Sequence, residues 1–227
     1  MQKNLKAAIL AALLVAPAVS FAQETEESNF SWNAGIVSDY VFRGVSQSER
    51  GEAFQGGLDY SFDDTGFYAG TWWSTVNFGA GAPNNEVDFY VGYAADLGDK
   101  FNFDVMLTRY TYHGADSSYG NIDYNELITK FSMNDVATLT VGYTNDYSNI
   151  GENVTYVNLG NSWDLGKDYS LNAAFGRTFS ETLGDYNDWT VGISKTFGIA
   201  EVGLNYYDTN LDYTASDSVV LSLKIGG

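Results

Sequence analysis

Charged side chains and large amphipathic rings recur at alternate positions of many short segments: Asp39, Arg43, Asp59, Trp72, Glu86, Asp88, Tyr90, Asp104, Glu126, Lys130, Asp164, Glu201 and Lys224. Two kinds of chemistry use such residues. Converging on a nucleophile and an oriented base, acids can support hydrolysis. Spread along one face of many strands, they can line a water-filled lumen and sort solutes by charge. The single histidine, His113, stands at a loop edge with no Ser–His–acid spacing around it, so the sequence argues against an enzyme. Cysteine is absent, which removes disulfides and thiolate metal sites. No cofactor is expected. Gly79-Ala80-Gly81 precedes no helix that could cradle a phosphate. The Asx- and Gly-rich stretches 145–153 and 208–217 carry oxygen ligands for a divalent cation but read better as solvated loops. Asn153-Val154-Thr155 matches a glycosylation acceptor by pattern alone.

The elements that position these residues are read from a two-residue alternation. From Phe30 to Arg43 the even positions are Phe30, Trp32, Ala34, Ile36, Ser38, Tyr40 and Phe42, and the odd positions carry Asp39 and Arg43. Successive side chains of a strand point to opposite faces, so one face has rings at both ends of an aliphatic middle and the other has the charge. Rings, aliphatics, rings is the order of interface, hydrocarbon, interface across a bilayer. A strand of a soluble sandwich has no reason to adopt it. The same order recurs at Tyr169, Leu171, Ala173, Phe175 and at Trp189, Val191, Ile193, Phe197. In the segment 67–78, Trp72 and Trp73 must face opposite ways; Phe67, Ala69 and Trp73 are assigned outward, with Tyr68 and Trp72 inward.

Tight-turn residues fall near positions 65, 99, 134, 167 and 198, and longer polar connectors near 44–52, 78–85, 113–121, 146–153, 180–186 and 208–217. Five short turns alternating with six long loops give about 12 strands in a single closed, up-and-down antiparallel transmembrane β-barrel, with both termini on the short-turn, periplasmic side. Residues 1–22 read as a signal peptide: Lys3 and Lys6 precede an apolar run, and Ser20-Phe21-Ala22 fits a cleavage site. Residues 23–227 then form the one barrel domain. Past the signal no apolar run reaches the roughly 18 residues of a membrane helix. The only prolines are Pro17 in the signal and Pro83 in an expected loop, which leaves the ladders uninterrupted.

The chain carries 29 acidic residues against 11 basic ones, a formal charge of −18, which excludes the phosphate-rich surface of nucleic acid as a partner. Inward parity collects most of the charge, so the lumen is expected to favour cations or neutral polar solutes. A partly paired lumen that still conducts is preferred over a plug, because twelve strands exceed the eight whose interior side chains can fill. Asp39 and Arg43, like Glu126 and Lys130, are four residues apart on one expected strand, about 13 Å, so any pairing must run to a neighbouring strand. Arg109 and Arg177 have outward parity at the loop-side rim, where they could meet lipopolysaccharide phosphates.

Ser38-Asp39-Tyr40-Val41-Phe42-Arg43-Gly44-Val45-Ser46-Gln47, Gly66 to Trp72, Glu86-Val87-Asp88 and Asp123 to Leu127 together resemble the TorF-type porin family of proteobacterial outer-membrane proteins. The resemblance covers nearly the whole mature chain. It implies a signal peptide, an outer-membrane barrel inserted by the barrel-assembly machinery among outer-membrane lipid and lipopolysaccharide, and a pore. The last strand ends Leu223-Lys224-Ile225-Gly226-Gly227, where barrels of this class commonly end on an aromatic residue. The expected function is a porin-like channel for passive diffusion of small hydrophilic solutes. The alternative is a plugged structural or adhesive barrel that binds a partner or lipopolysaccharide through its long loops.

Overall fold

The computed structural model describes residues 29–134, 136–181, 184–211 and 217–227. The signal-peptide reading of residues 1–22, and parts of the connectors at 182–183 and 212–216, lie outside the described residues.

Alternating β-branched and aromatic residues suit a pleated surface with one face in hydrocarbon, and among the described residues they form fourteen strands. These are β1 (Phe30–Val37), β2 (Val41–Phe42), β3 (Val45–Ser46), β4 (Ala53–Ser61), β5 (Phe67–Thr75), β6 (Asn85–Asp96), β7 (Phe101–His113), β8 (Tyr124–Met133), β9 (Ala137–Tyr147), β10 (Glu152–Gly166), β11 (Tyr169–Ser180), β12 (Tyr186–Phe197), β13 (Ala200–Thr209) and β14 (Ser218–Gly226). Twelve of them, β1 and β4 to β14, close into one barrel in which each strand pairs antiparallel with its neighbours. The seam is β1 against β14, with Ile36 opposite Leu223, and no edge is left to pair with another chain.

The short turns expected near 65, 99, 167 and 198 are found, and Asp135 of the turn expected at Asn134-Asp135 lies outside the described residues. Lys167 and Asp168, both at positive φ, make a two-residue hairpin between Gly166 and Tyr169. A single 3₁₀ turn at Asp63–Thr65 closes on Gly66 at φ 80°. The turn at 134 joins Met133 to Ala137. The outward face is the expected apolar belt: Val91 is 58% exposed and Phe175 54%, values that suit only an apolar surround. Trp72 is buried inside and Trp73 faces out, its indole N–H donating to Asn85 Oδ1 at 3.0 Å.

The first strand corrects the sequence reading. β1 ends at Val37, not Arg43. Ser38 closes the ladder by donating its backbone N–H to Leu221 O and accepting the Leu221 N–H on its hydroxyl, both at 2.9 Å. Beyond it the chain leaves the wall. β2 and β3 form a hairpin around Arg43 and Gly44, at φ 48° and 78°, and this hairpin lies inside the barrel. Tyr40 and Phe42, expected to face lipid, point into the interior: Tyr40 packs on Trp72 with ring centroids 5.5 Å apart, and Phe42 lies 6.4 Å from the Tyr110 ring. Trp189 stays on the wall, in β12. Two-residue alternation reports which way side chains point relative to a local strand. It does not distinguish a wall from a short hairpin tucked behind it.

Candidate functional site: the barrel lumen

The hairpin crosses the loop-side half of the lumen. Its base is tied by Asp39, whose carboxylate accepts hydrogen bonds from Ser46 (2.6 Å), Ser48 (3.1 Å) and Ser218 (2.7 Å). Its tip reaches the far wall: a Cβ on Gly44 would stand 2.8 Å from Asp188 Cβ and 2.9 Å from Thr209 Cβ, so only glycine fits both the turn and the approach. Arg43 anchors it. Its Nη2 donates to Glu126 Oε1 at 2.7 Å, with the two side chains 2% and 0% exposed. Its guanidinium lies over the rings of Tyr156, at 4.2 Å, and Phe42, at 4.7 Å. Tyr110 donates to the second oxygen of Glu126 at 3.0 Å and stacks on Tyr124, centroids 4.6 Å apart. Burial opposes the charge on Arg43, but Glu126 outweighs it and holds the guanidinium pKa above its ordinary value. Opposite the pair, Gly142 leaves the space they occupy: a Cβ there would lie 2.7 Å from Glu126 Oε1. The partner of Arg43 is therefore on β8, which is adjacent to neither neighbour of β1. The expectation that pairing must run to a neighbouring strand fails because Arg43 is not on the wall.

Below the hairpin the two sides of the lumen differ. Along β5 to β8, Tyr68, Trp72, Tyr90, Met106 and Ile128 form a buried hydrophobic cluster. Tyr68 stands opposite Gly92 and Tyr90 opposite Gly70, so each ring lies flat over the glycine of the adjacent strand. The acids on this side are held by phenols. Tyr90 donates to Asp59, Tyr68 to Asp104 at 2.8 Å and Tyr112 to Glu86 at 3.1 Å, while across the lumen Tyr156 donates to Asp188 at 3.1 Å. Along β10 to β13, apart from Tyr156 and Asp188 at the hairpin and Glu201 near the β12–β13 turn, the inward positions include the small or neutral Gly160, Ser162, Asn172, Ala174, Gly192 and Asn205. Asn172 donates across Gly192 to Asn205 at 2.9 Å. Between the hairpin arm and β13, β14, β1 and β4 lies a cavity of about 100 Å³, whose lining includes Asn33, Asp39, Tyr40, Asp88, Glu201 and Lys224.

Residues 22–224 match a family model described as Bacterial protein of unknown function (Gcw_chp). The chain belongs to the Gcw_chp family. No curated protein matches it. Among solved structures it is similar to the KdgM porin, at 11% identity over 86% of this chain and 96% of that one, with a TM-score of 0.54. It is similar also to the NanC porin, at 16% identity over 87% and 97%, with a TM-score of 0.51. At this identity the likeness is one of fold. With the apolar belt, the shared architecture of this Gcw_chp protein is that of a closed antiparallel barrel able to cross a membrane on strands.

Of the residues singled out from the sequence, Asp59, Trp72, Glu86, Asp88, Tyr90, Asp104, Glu126, Lys130 and Glu201 face inward on the wall of the Gcw_chp barrel and are buried. Asp39 and Arg43 are also buried, but on the hairpin connection. Asp164 has inward parity yet lies exposed beside the β10–β11 turn, bonded to the Gly166 N–H at 2.7 Å, and is remote from the hairpin. Lys130 stands directly opposite Asp104, and Lys224 opposite Glu201. Sequence reasoning missed Tyr110, Tyr124, Tyr156 and Asp188, which complete the surroundings of Arg43. The signal was present: outward Val157 and Trp189 oblige Tyr156 and Asp188 to face in.

His113 is exposed and contacts Thr111 Oγ1 at 3.0 Å, not a serine or an acid. Among the described residues no cluster of His, Cys, Asp and Glu could hold a metal ion. At the rim, Arg109 pairs with Asp123 at 3.4 Å and Arg177 with Asp185 at 3.0 Å.

Proposed function

We propose that this barrel is a narrow porin-like channel in the outer membrane for passive diffusion of small hydrophilic solutes, with an acidic lumen that favours cations or neutral solutes. One observation carries the reading. Four inward carboxylates, those of Asp59, Asp104, Glu86 and Asp188, each accept a hydrogen bond from a tyrosine hydroxyl, a donor that brings no positive charge. In the ladders Asp59 faces Ser31 and Gly70, Glu86 faces Ser74 and Tyr112, and Asp88 faces Trp72 and Tyr110, so none of the three stands opposite a basic residue. A low-dielectric wall around such groups gives the lumen a negative potential. The resemblance to TorF-type porins supports the same reading. In it, residues 1–22 direct export, the barrel-assembly machinery inserts the chain, and the rim meets lipopolysaccharide.

The test is conductance of the purified, refolded protein in planar bilayers. Discrete openings with a reversal potential on the cation side in a salt gradient are expected. Changing Asp59→Asn together with Glu86→Gln should move that potential toward zero, since both amides still accept from their tyrosines. The hairpin across the lumen favours a second reading, a plugged barrel with a structural or adhesive role. Well-folded protein without conductance, whose loop deletions abolish partner or lipopolysaccharide binding, would establish that reading instead.

A further inference from the structure

The lumen already contains one cation held by protein. Arg43 sits between a carboxylate, Glu126, and the faces of Tyr156 and Phe42. The neighbouring cavity repeats the ingredients, and the one lysine in its lining, Lys224, stands on β14 opposite Glu201. Asp88 projects inward from β6, and in the sheet register it stands between Trp72 on β5 and Tyr110 on β7. The Tyr40 ring closes over Trp72 from the hairpin arm, edge to face at 5.5 Å. All four residues line the same cavity of about 100 Å³. Asp88 is only 3% exposed, and its Oδ1 has no hydrogen-bond partner among the described residues. A buried carboxylate oxygen left without a donor is costly, and the groups around it are rings.

We propose that this cavity is a recognition site for a small primary alkylammonium ion. The ammonium N–H groups would bond the free oxygen of Asp88, the charge would lie against the rings of Trp72, Tyr40 and Tyr110, and a short alkyl chain would occupy the cavity toward Val37 and Val220. The requirement for N–H comes from the unpartnered acceptor: a quaternary ammonium satisfies the rings and leaves Asp88 unbonded. The site deepens the channel reading, since it would sit on the route past the hairpin and make passage of such amines saturable.

The probe is n-propylammonium chloride titrated into the folded protein in detergent, read by fluorescence. Trp72 is the tryptophan in the cavity, and a Trp72→Phe variant identifies its signal. The expected result is saturable quenching by propylammonium, with propan-1-ol, propionate and tetramethylammonium each weaker by about tenfold or more. Asp88→Asn should weaken propylammonium by a similar factor. Equal binding of propan-1-ol or tetramethylammonium to the unaltered protein would overturn the assignment without relying on any variant's folding. So would an absence of saturable quenching, which would leave a site filled by water. Channel activity is scored separately in bilayers. Saturable amine binding without conductance keeps this site and removes the channel reading; conductance without amine binding does the reverse.

Discussion

The two walls of the lumen share one exterior and differ inside. From outside, β5 to β8 and β10 to β13 carry the same apolar belt. Inside, the first group packs Tyr68, Trp72, Tyr90, Met106 and Ile128 into a buried hydrophobic cluster, whereas the second presents Gly160, Asn172, Ala174 and Asn205. A barrel of twelve strands is too wide for its own side chains to fill. This chain fills one side with aromatic rings and spans the remainder with a hairpin. Lipid contact sets the outward residues of every strand alike, so the functional difference between strands resides only in the inward ones.

The largest effect is expected at the anchor of the hairpin. Arg43→Ala leaves Glu126 buried without its cation, at a cost of about 3–5 kcal/mol in stability. It should also release the hairpin and raise single-channel conductance. Replacing both partners by apolar residues of similar size, Arg43→Met with Glu126→Leu, should recover most of the stability while keeping the higher conductance. Urea unfolding in detergent and bilayer recording measure the two effects. Unchanged conductance in Arg43→Ala would show that the hairpin is not the constriction.

The walls themselves separate next. Ile128→Ala opens a cavity in the packed side and should cost about 2–5 kcal/mol with conductance unaltered. Ala174→Leu at a half-buried inward position on the opposite side should do the reverse, with a stability change of at most about 1 kcal/mol and a smaller conductance. A matched response from the two variants would erase the distinction between the walls. Gly92→Ala probes the packed side more gently. Its Cβ would collide with the Tyr68 ring and push it off Asp104, at a cost of about 1–3 kcal/mol for the stranded acid. Thermal unfolding of the barrel would detect it.

The sequence carried the walls more completely than the contents. Strand number, turn positions and facing were legible because lipid imposes a strict two-residue period, and the ambiguous pair Trp72 and Trp73 resolved as that period requires. The hairpin was not legible. Asp39 to Ser46 keeps the same alternation, so Tyr40 and Phe42 read as a continuation of β1 although the interior, not lipid, surrounds them. The informative residues were Arg43 and Gly44, a two-residue turn between Val41-Phe42 and Val45-Ser46. Pairings across the lumen, such as Arg43 with Glu126, 83 residues apart, depend on where that hairpin points, which no local pattern encodes.

The smallest effect should come from the rim, where the same residue types meet under opposite conditions. Arg177 bonds Asp185 at 3.0 Å and Asn187 at 3.1 Å and lies 5.0 Å from the Phe179 ring centroid, a set of contacts not unlike those of Arg43. Its side chain is 42% exposed and that of Asp185 45%, against 2% and 0% for Arg43 and Glu126. Water solvates both rim charges whether or not they touch, so Arg177→Ala should cost at most about 1 kcal/mol in detergent. Arg109→Ala, paired more loosely with Asp123, should cost no more. If these arginines also bind lipopolysaccharide phosphates, the cost must grow when the protein is folded into membranes containing that lipid, because the phosphate then loses its donor. Equal small costs in detergent and in lipopolysaccharide would restrict the rim pairs to solvated interfacial charge and leave Arg43 with Glu126 as the ion pair that shapes the lumen.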